Sequence, residues 1–144
     1  METQRILGID YGSVRIGLSL SDPLGIIAQP HETLTNNSEF WTKLKNIIDA
    51  QQVNLIVVGM PLNLKGEKAQ KAQEVQKFVE RLKKESGKEV VEWDERFTST
   101  IAQQTLRSMG TKKSDRQKKG QVDSMAAAVM LQSFLDRTKR SLSC

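Results

Sequence analysis

The sequence predicts an α/β fold: a mixed five-stranded sheet, three antiparallel strands followed by parallel strands, with helices on both faces. Three observations predict it. The chain opens with three strand-like runs joined by turns too short for anything but antiparallel pairing. Two later apolar runs, "NLIVVGM" and "KEVVEWDE", each follow an amphipathic helical pattern, which suits parallel strands reached by crossovers. The first of these is nearly unbroken, as expected of a strand covered on both faces.

The elements follow in order. Residues 5–10 form the first strand, with Ile6, Leu7 and Ile9 apolar and Asp10 at its end. The "YGS" turn leads to a second strand at 14–22, and Asp22-Pro23-Leu24-Gly25 turns the chain into a third at 25–34. A helix over about 38–51 places Phe40, Trp41, Leu44, Ile47 and Ile48 at helical spacing, with Ser38 as its N-cap. Pro61 ends the fourth strand, 54–60. The next helix, about 67–85, carries Ala72, Val75, Val79 and Leu82 on one stripe and stops at Gly87. After the fifth strand, Thr98, Ser99 or Thr100 caps a helix bearing Ile101, Leu106 and Met109 that ends at Gly110. A last helix runs from about Gln121 to Arg137. The first strand is expected at the centre, paired with the second on one side and with the fourth, in parallel, on the other, through right-handed crossovers. Residues 1–138 read as a single domain and 139–144 as a flexible tail.

Composition narrows the chemistry. The chain has 144 residues, 38% hydrophobic and 27% charged, enough for one substantial core. No apolar run is long enough for a membrane span, and the opening "METQRILGID" lacks a secretory pattern, so a cytoplasmic protein without a membrane partner is expected. Cys144 is the single cysteine and His31 the single histidine, which excludes an internal disulfide and a Cys-rich zinc site and disfavours His-assisted nucleophiles. The net charge of +5 permits an acidic partner such as nucleic acid. Much of the excess lies in "RSMGTKKSDRQKKG", Arg107 to Gly120, where Lys112, Lys113, Arg116, Lys118 and Lys119 read either as a solvated loop or as phosphate contacts.

The acids are placed to meet. In sheets of this kind ligands gather outside the carboxyl ends of the parallel strands. Asp10 ends the first strand, and Asp94-Glu95 ends the fifth. Asp123 reads as lying in the first turn of the last helix, where the helix dipole favours negative charge. Ala126, Ala127 and Ala128 would let that helix lie close to the sheet. Two carboxylates about 5 Å apart repel by about 3 kcal/mol at an effective dielectric near 20, so a cation is expected among them: Lys or Arg, which would make the cluster structural, or a divalent metal. Hard oxygen donors without histidine or cysteine favour Mg2+ or Mn2+, one ion or two, over zinc. Alternation groups Val91, Trp93 and Glu95 on one strand face and Val90, Glu92 and Asp94 on the other. With helices expected on both faces, that grouping leaves the choice between Asp94 and Glu95 open. Asp22, Asp49 and Asp136 read as turn or surface residues.

Four segments, "GIDYGSVRIGLSLSD", "IVVGMPLNLKGE", "WDERFTS" and "KKGQVDSMAAAVML", stand in an order that resembles the YqgF/RuvX family of ribonuclease H-like proteins, known as Holliday junction resolvases and pre-16S ribosomal RNA nucleases. The resemblance spans about residues 5–135. It implies a ribonuclease H-like fold and a divalent-metal site formed by Asp10, Glu95 and Asp123, with Glu95 favoured over Asp94 and Asp94 in a supporting role. The implied activity is metal-dependent hydrolysis of a nucleic-acid phosphodiester, leaving a 5′-phosphate and a 3′-hydroxyl. Maturation of the 5′ end of 16S ribosomal RNA is the expected task, with branched DNA as the competing substrate. A monomer suffices for the first; a resolvase needs a homodimer.

The remaining motif residues receive physical roles. Gly12 allows a tight turn and close backbone approach beside Asp10, and Gly17, inside a strand, points to close packing or ligand approach. Arg96 is suited to a forked contact with the scissile phosphate. Lys65, Lys118, Lys119 and Arg15 are candidate backbone contacts. Trp41, Trp93 and Phe97 read as core residues, so no aromatic platform for single strands is expected. Two rivals remain: a non-catalytic RNA-binding module, and an ATP-using phosphotransferase suggested by "DYGSVRIG", which would need a second domain.

Overall fold

The computed structural model describes residues 5–60, 67–94 and 116–142. Strand alternation sets its architecture. In β1 (Arg5–Asp10), Leu7 and Ile9 are fully buried on one face, while Ile6, Gly8 and Asp10 share the other. β2 (Arg15–Ser21) runs antiparallel to β1, with Leu7 opposite Leu20 and Asp10 opposite Gly17. β3 (Ala28–Thr35) pairs antiparallel with β2 and forms one edge, where Pro30 costs no ladder bond on its outer side. β4 (Val53–Met60) lies parallel to β1, and β5 (Glu89–Asp94) parallel to β4, giving the order β3-β2-β1-β4-β5. The strand order is the one the sequence predicts.

Among the described residues, three helices cover the sheet. α1 (Phe40–Ala50) and α2 (Glu67–Ser86) bury Phe40, Leu44, Ile48, Val75, Val79 and Leu82 against Leu7, Ile9, Ile16, Leu18 and Val58. α3 (Arg116–Leu142) packs on the opposite face, where Met130, Leu131, Phe134 and Leu135 meet Val57, with Ile6, Val91 and Trp93 around them. β4 thus sends Ile56 and Val58 to one core and Val57 to the other, which is why its sequence is apolar throughout. Gly87 ends α2 with φ +66, and its N–H donates to the Lys83 carbonyl at 3.1 Å.

The α3 face of β1 and β2 carries a patch of small residues: Gly8 in β1, and Gly17, Ser19 and Ser21 in β2. α3 answers with Ser124, Ala127 and Ala128, all buried. The alanines therefore do what the sequence suggests and let helix and sheet approach closely. Gln132 fixes the helix laterally: its Oε1 accepts the Ala28 N–H at 2.8 Å and its Nε2 donates to the Ile26 carbonyl at 3.0 Å.

Several expectations need correction. The last helix begins at Arg116, not near Gln121, because Arg116, Gln117, Lys118 and Lys119 are good helix formers and a single Gly120 is tolerated in a long helix. It runs to Leu142. Glu39, not Ser38, occupies the N-cap of α1 and makes no side-chain cap bond. β3 starts at Ala28 because the preceding turn extends further. There Asp22 accepts the N–H groups of Ile26, Ile27 and Leu24 at 2.6, 2.8 and 3.3 Å. The Ile27 bond above all holds its carboxyl below the usual aspartate range. Trp41 sits half-buried at the core margin, not inside it, with the Arg81 guanidinium 4.6 Å from its ring centre. The helix expected between residues 98 and 110, and Phe97, lie outside the described residues.

Candidate active site at the carboxyl end of β1

Asp10 ends β1 on the α3 face, directly across from Gly17. A Cβ on Gly17 would lie 2.1 Å from the Asp123 carbonyl oxygen and 3.0 Å from the Ser124 nitrogen. The backbone at Asp123 therefore rests on the bare strand beside Asp10. The backbones at Asp10 and Asp123, more than a hundred residues apart in sequence, are thus both set against Gly17.

Asp123 has a defined partner. Its Oδ2 accepts a hydrogen bond from Arg15 Nε at 2.7 Å. Arg15 opens β2 on the same face as Gly17. Among the described residues it is the only cation within ion-pair distance of Asp123. Asp123 lies beyond the first turn of α3, so the helix dipole expected to favour its charge does not reach it. Arg15 supplies that compensation instead.

The turn carrying Arg15 is tightly held. Gly12 approaches so closely that a Cβ there would lie 2.3 Å from the Arg15 carbonyl oxygen. Asn36, just after β3, clamps the turn twice: its N–H donates to the Val14 carbonyl and its Nδ2 to the Gly12 carbonyl, both at 2.9 Å. Asn36→Ala should lose the side-chain bond and about 1 kcal/mol of stability, read from the urea midpoint. An unchanged midpoint would show that the clamp contributes nothing.

A cleft of about 420 Å³ opens over this rim. Tyr11, Gly12, Arg15 and Asp123 line one side, and Gln70, Lys71 and Glu74 of α2 line the other. Tyr11 packs its ring on Phe78, centroids 4.8 Å apart. Tyr11, Asn36 and Lys71 are absent from the sequence-based candidates. Tyr11 could have been found from its place next to Asp10; the other two depend on contacts between distant segments.

The remaining candidates divide cleanly. Asp94 pairs with Met60 in register, on the face of α1 and α2, away from Asp10 and Asp123. Val91 and Trp93 belong to the α3 side, where Trp93 meets the Phe134 ring edge-on at 5.3 Å. Arg116, Lys118 and Lys119 lie at the start of α3, not in a loop before it. Glu95, Arg96, Lys65, Lys112 and Lys113 lie outside the described residues. Among the described residues, no three His, Cys, Asp or Glu side chains form a metal-binding group. Nor is any helix there long and apolar enough to cross a membrane.

Comparisons with known proteins bear on this geometry. A family model described as "RuvX: Holliday junction resolvase" matches residues 4–137. A protein of Sulfurihydrogenibium sp. (strain YO3AOP1) is 42% identical over 135 residues, covering 92% of this chain and 90% of the relative. One from Salinibacter ruber is 43% identical, covering 93% and 94%. Both carry the name "Putative pre-16S rRNA nuclease". Among solved structures, Thermus thermophilus RuvC in complex with a Holliday junction substrate superposes with a TM-score of 0.57 at 16% identity, over 94% of this chain and 96% of that one. That likeness shows the ribonuclease H-like fold.

Proposed function

The chain belongs to the RuvX family and is a nuclease, a hydrolase of phosphodiester bonds, and we propose that it matures the 5′ end of pre-16S ribosomal RNA with a divalent cation held by Asp10, Glu95 and Asp123. The observation that carries this reading is the seating of Asp123 on Gly17, beside Asp10, at the strand ends. The donors fit the ion: carboxylate oxygens at an open rim suit Mg2+ or Mn2+. Asp94 points to the other face, which favours Glu95 as the third acid and leaves Asp94 to support the strand end. One or two such ions, when bound, supply water activation and charge neutralisation at the phosphate.

The chain's own residues do the rest. Asp123 fixes negative charge in the cleft, and Asp10 adds its own at the adjoining strand end. Gly12 keeps the turn close, so that a phosphate can approach the backbone beside Asp10. Lys71 on the opposite wall supplies positive charge for the substrate backbone, and Lys65, Arg96, Lys112, Lys113, Arg116, Lys118 and Lys119 are the further bases proposed to contact it. The products would be a 5′-phosphate and a 3′-hydroxyl. The names of the relatives favour RNA; the family description favours branched DNA as the second reading, which calls for a homodimer. The bacterial cytoplasm is the compartment this task implies.

Sequencing ribosomal RNA 5′ ends in cells depleted of the protein tests the reading. Precursor should accumulate and be removed by the wild type but not by Asp123→Asn. Normal 5′ ends after depletion would reject the RNA task. Salt-sensitive RNA binding without cleavage in any divalent ion would make the protein a binding module.

A further inference from the structure

We propose that Arg15 is an exchangeable counter-ion: it holds the Asp123 carboxylate in the cation-free protein and turns to a substrate phosphate once a divalent cation occupies the acids. This rests on the reading of Asp10 and Asp123 as cation ligands. Four observations carry it. Arg15 Nε lies 2.7 Å from Asp123 Oδ2, at the oxygen a hard cation would take at about 2.1 Å. A divalent cation on either oxygen of Asp123 would face the guanidinium at close range, and the two positive charges repel. The pair is open to water, with 41% of the Arg15 side chain and 27% of that of Asp123 exposed, so exchange leaves no buried charge behind. Among the described residues, only one of the five Arg15 N–H groups is engaged, so the fork remains available for a phosphate.

The exchange has a direction. Arg15 competes with the cation for Asp123, and the cation in turn releases Arg15 for nucleic acid. Cation and nucleic acid should therefore each favour the other's binding. A static clip between β2 and α3 would give neither effect.

The test is calorimetric titration of Mn2+ into the wild type, Arg15→Met and Asp123→Asn, with matched circular dichroism to confirm folding. Arg15→Met should bind Mn2+ roughly two- to fivefold more tightly, the span expected for losing an exposed ion-pair competitor. A short single-stranded RNA is then bound by each form in EDTA and in Ca2+, with its intact length checked on a gel. In Ca2+ the salt slope of Arg15→Met should be smaller than that of the wild type by about 0.7, one phosphate contact; in EDTA the slopes should match. Equal or weaker Mn2+ binding by Arg15→Met, or equal RNA slopes in Ca2+, overturns the exchange. If the wild type binds Mn2+ and Asp123→Asn does not, the acid site stands and Arg15 alone is decided. If no form binds Mn2+, the acid site and the exchange fail together.

Discussion

Asp123→Asn should lower cleavage of structured RNA in Mg2+ by at least about a hundredfold, since loss of even a supporting group at a metal site costs about 10- to 100-fold. The fold should survive. The ion pair lost with Arg15 is exposed, and such pairs contribute about 1 kcal/mol or less. Thermal unfolding and single-turnover cleavage, measured on one preparation, separate the two effects. Asp10→Asn should behave alike, because Asp10 is the acid paired across the sheet with Gly17, on which Asp123 rests. Parental cleavage by either variant, in protein free of contaminating nuclease, would remove the carboxylate mechanism.

Gly17→Ala is expected to damage both stability and catalysis. The atoms its Cβ would meet at 2.1, 2.4 and 3.0 Å are all backbone, so no side chain can swing aside. Either β2 or α3 must shift, at a cost of about 1–3 kcal/mol. Because the obstructed atoms belong to Asp123 and Ser124, the shift displaces the acid itself, and a misplacement near 1 Å can cost about a hundredfold in rate. Gly8→Ala is the control. Its Cβ would meet Ser19 Oγ at 2.5 Å and Leu131 Cβ at 2.8 Å, further along α3. It should lower the melting temperature while sparing more of the activity. Equal activity in the two variants at matched stability would show that Gly17 does not position Asp123.

The strands were legible because their signals are local. Alternation in β1, the continuous apolar run of β4 and the turn at Asp22 each need only a few neighbouring residues. The position of Asp10 at a strand end followed from the same pattern. The start of α3 was obscured by Gly120, which reads as a boundary although the flanking residues carry the helix through it. The Arg15–Asp123 pair joins residues 108 apart, and no periodicity distinguishes Arg15 from the chain's other bases. Asn36 likewise reaches the turn between β1 and β2 only once β2 and β3 have paired. Alternation alone left Asp94 and Glu95 open while both faces were expected to be covered; the structure places Asp94 on the face of α1 and α2.

The most direct measurement is anomalous diffraction from crystals grown with Mn2+. The account predicts a manganese peak held by carboxylate oxygens of both Asp10 and Asp123, lost in Asp123→Asn crystals grown alike. A fully active protein whose manganese lies elsewhere, with these two carboxylates uninvolved, would contradict it.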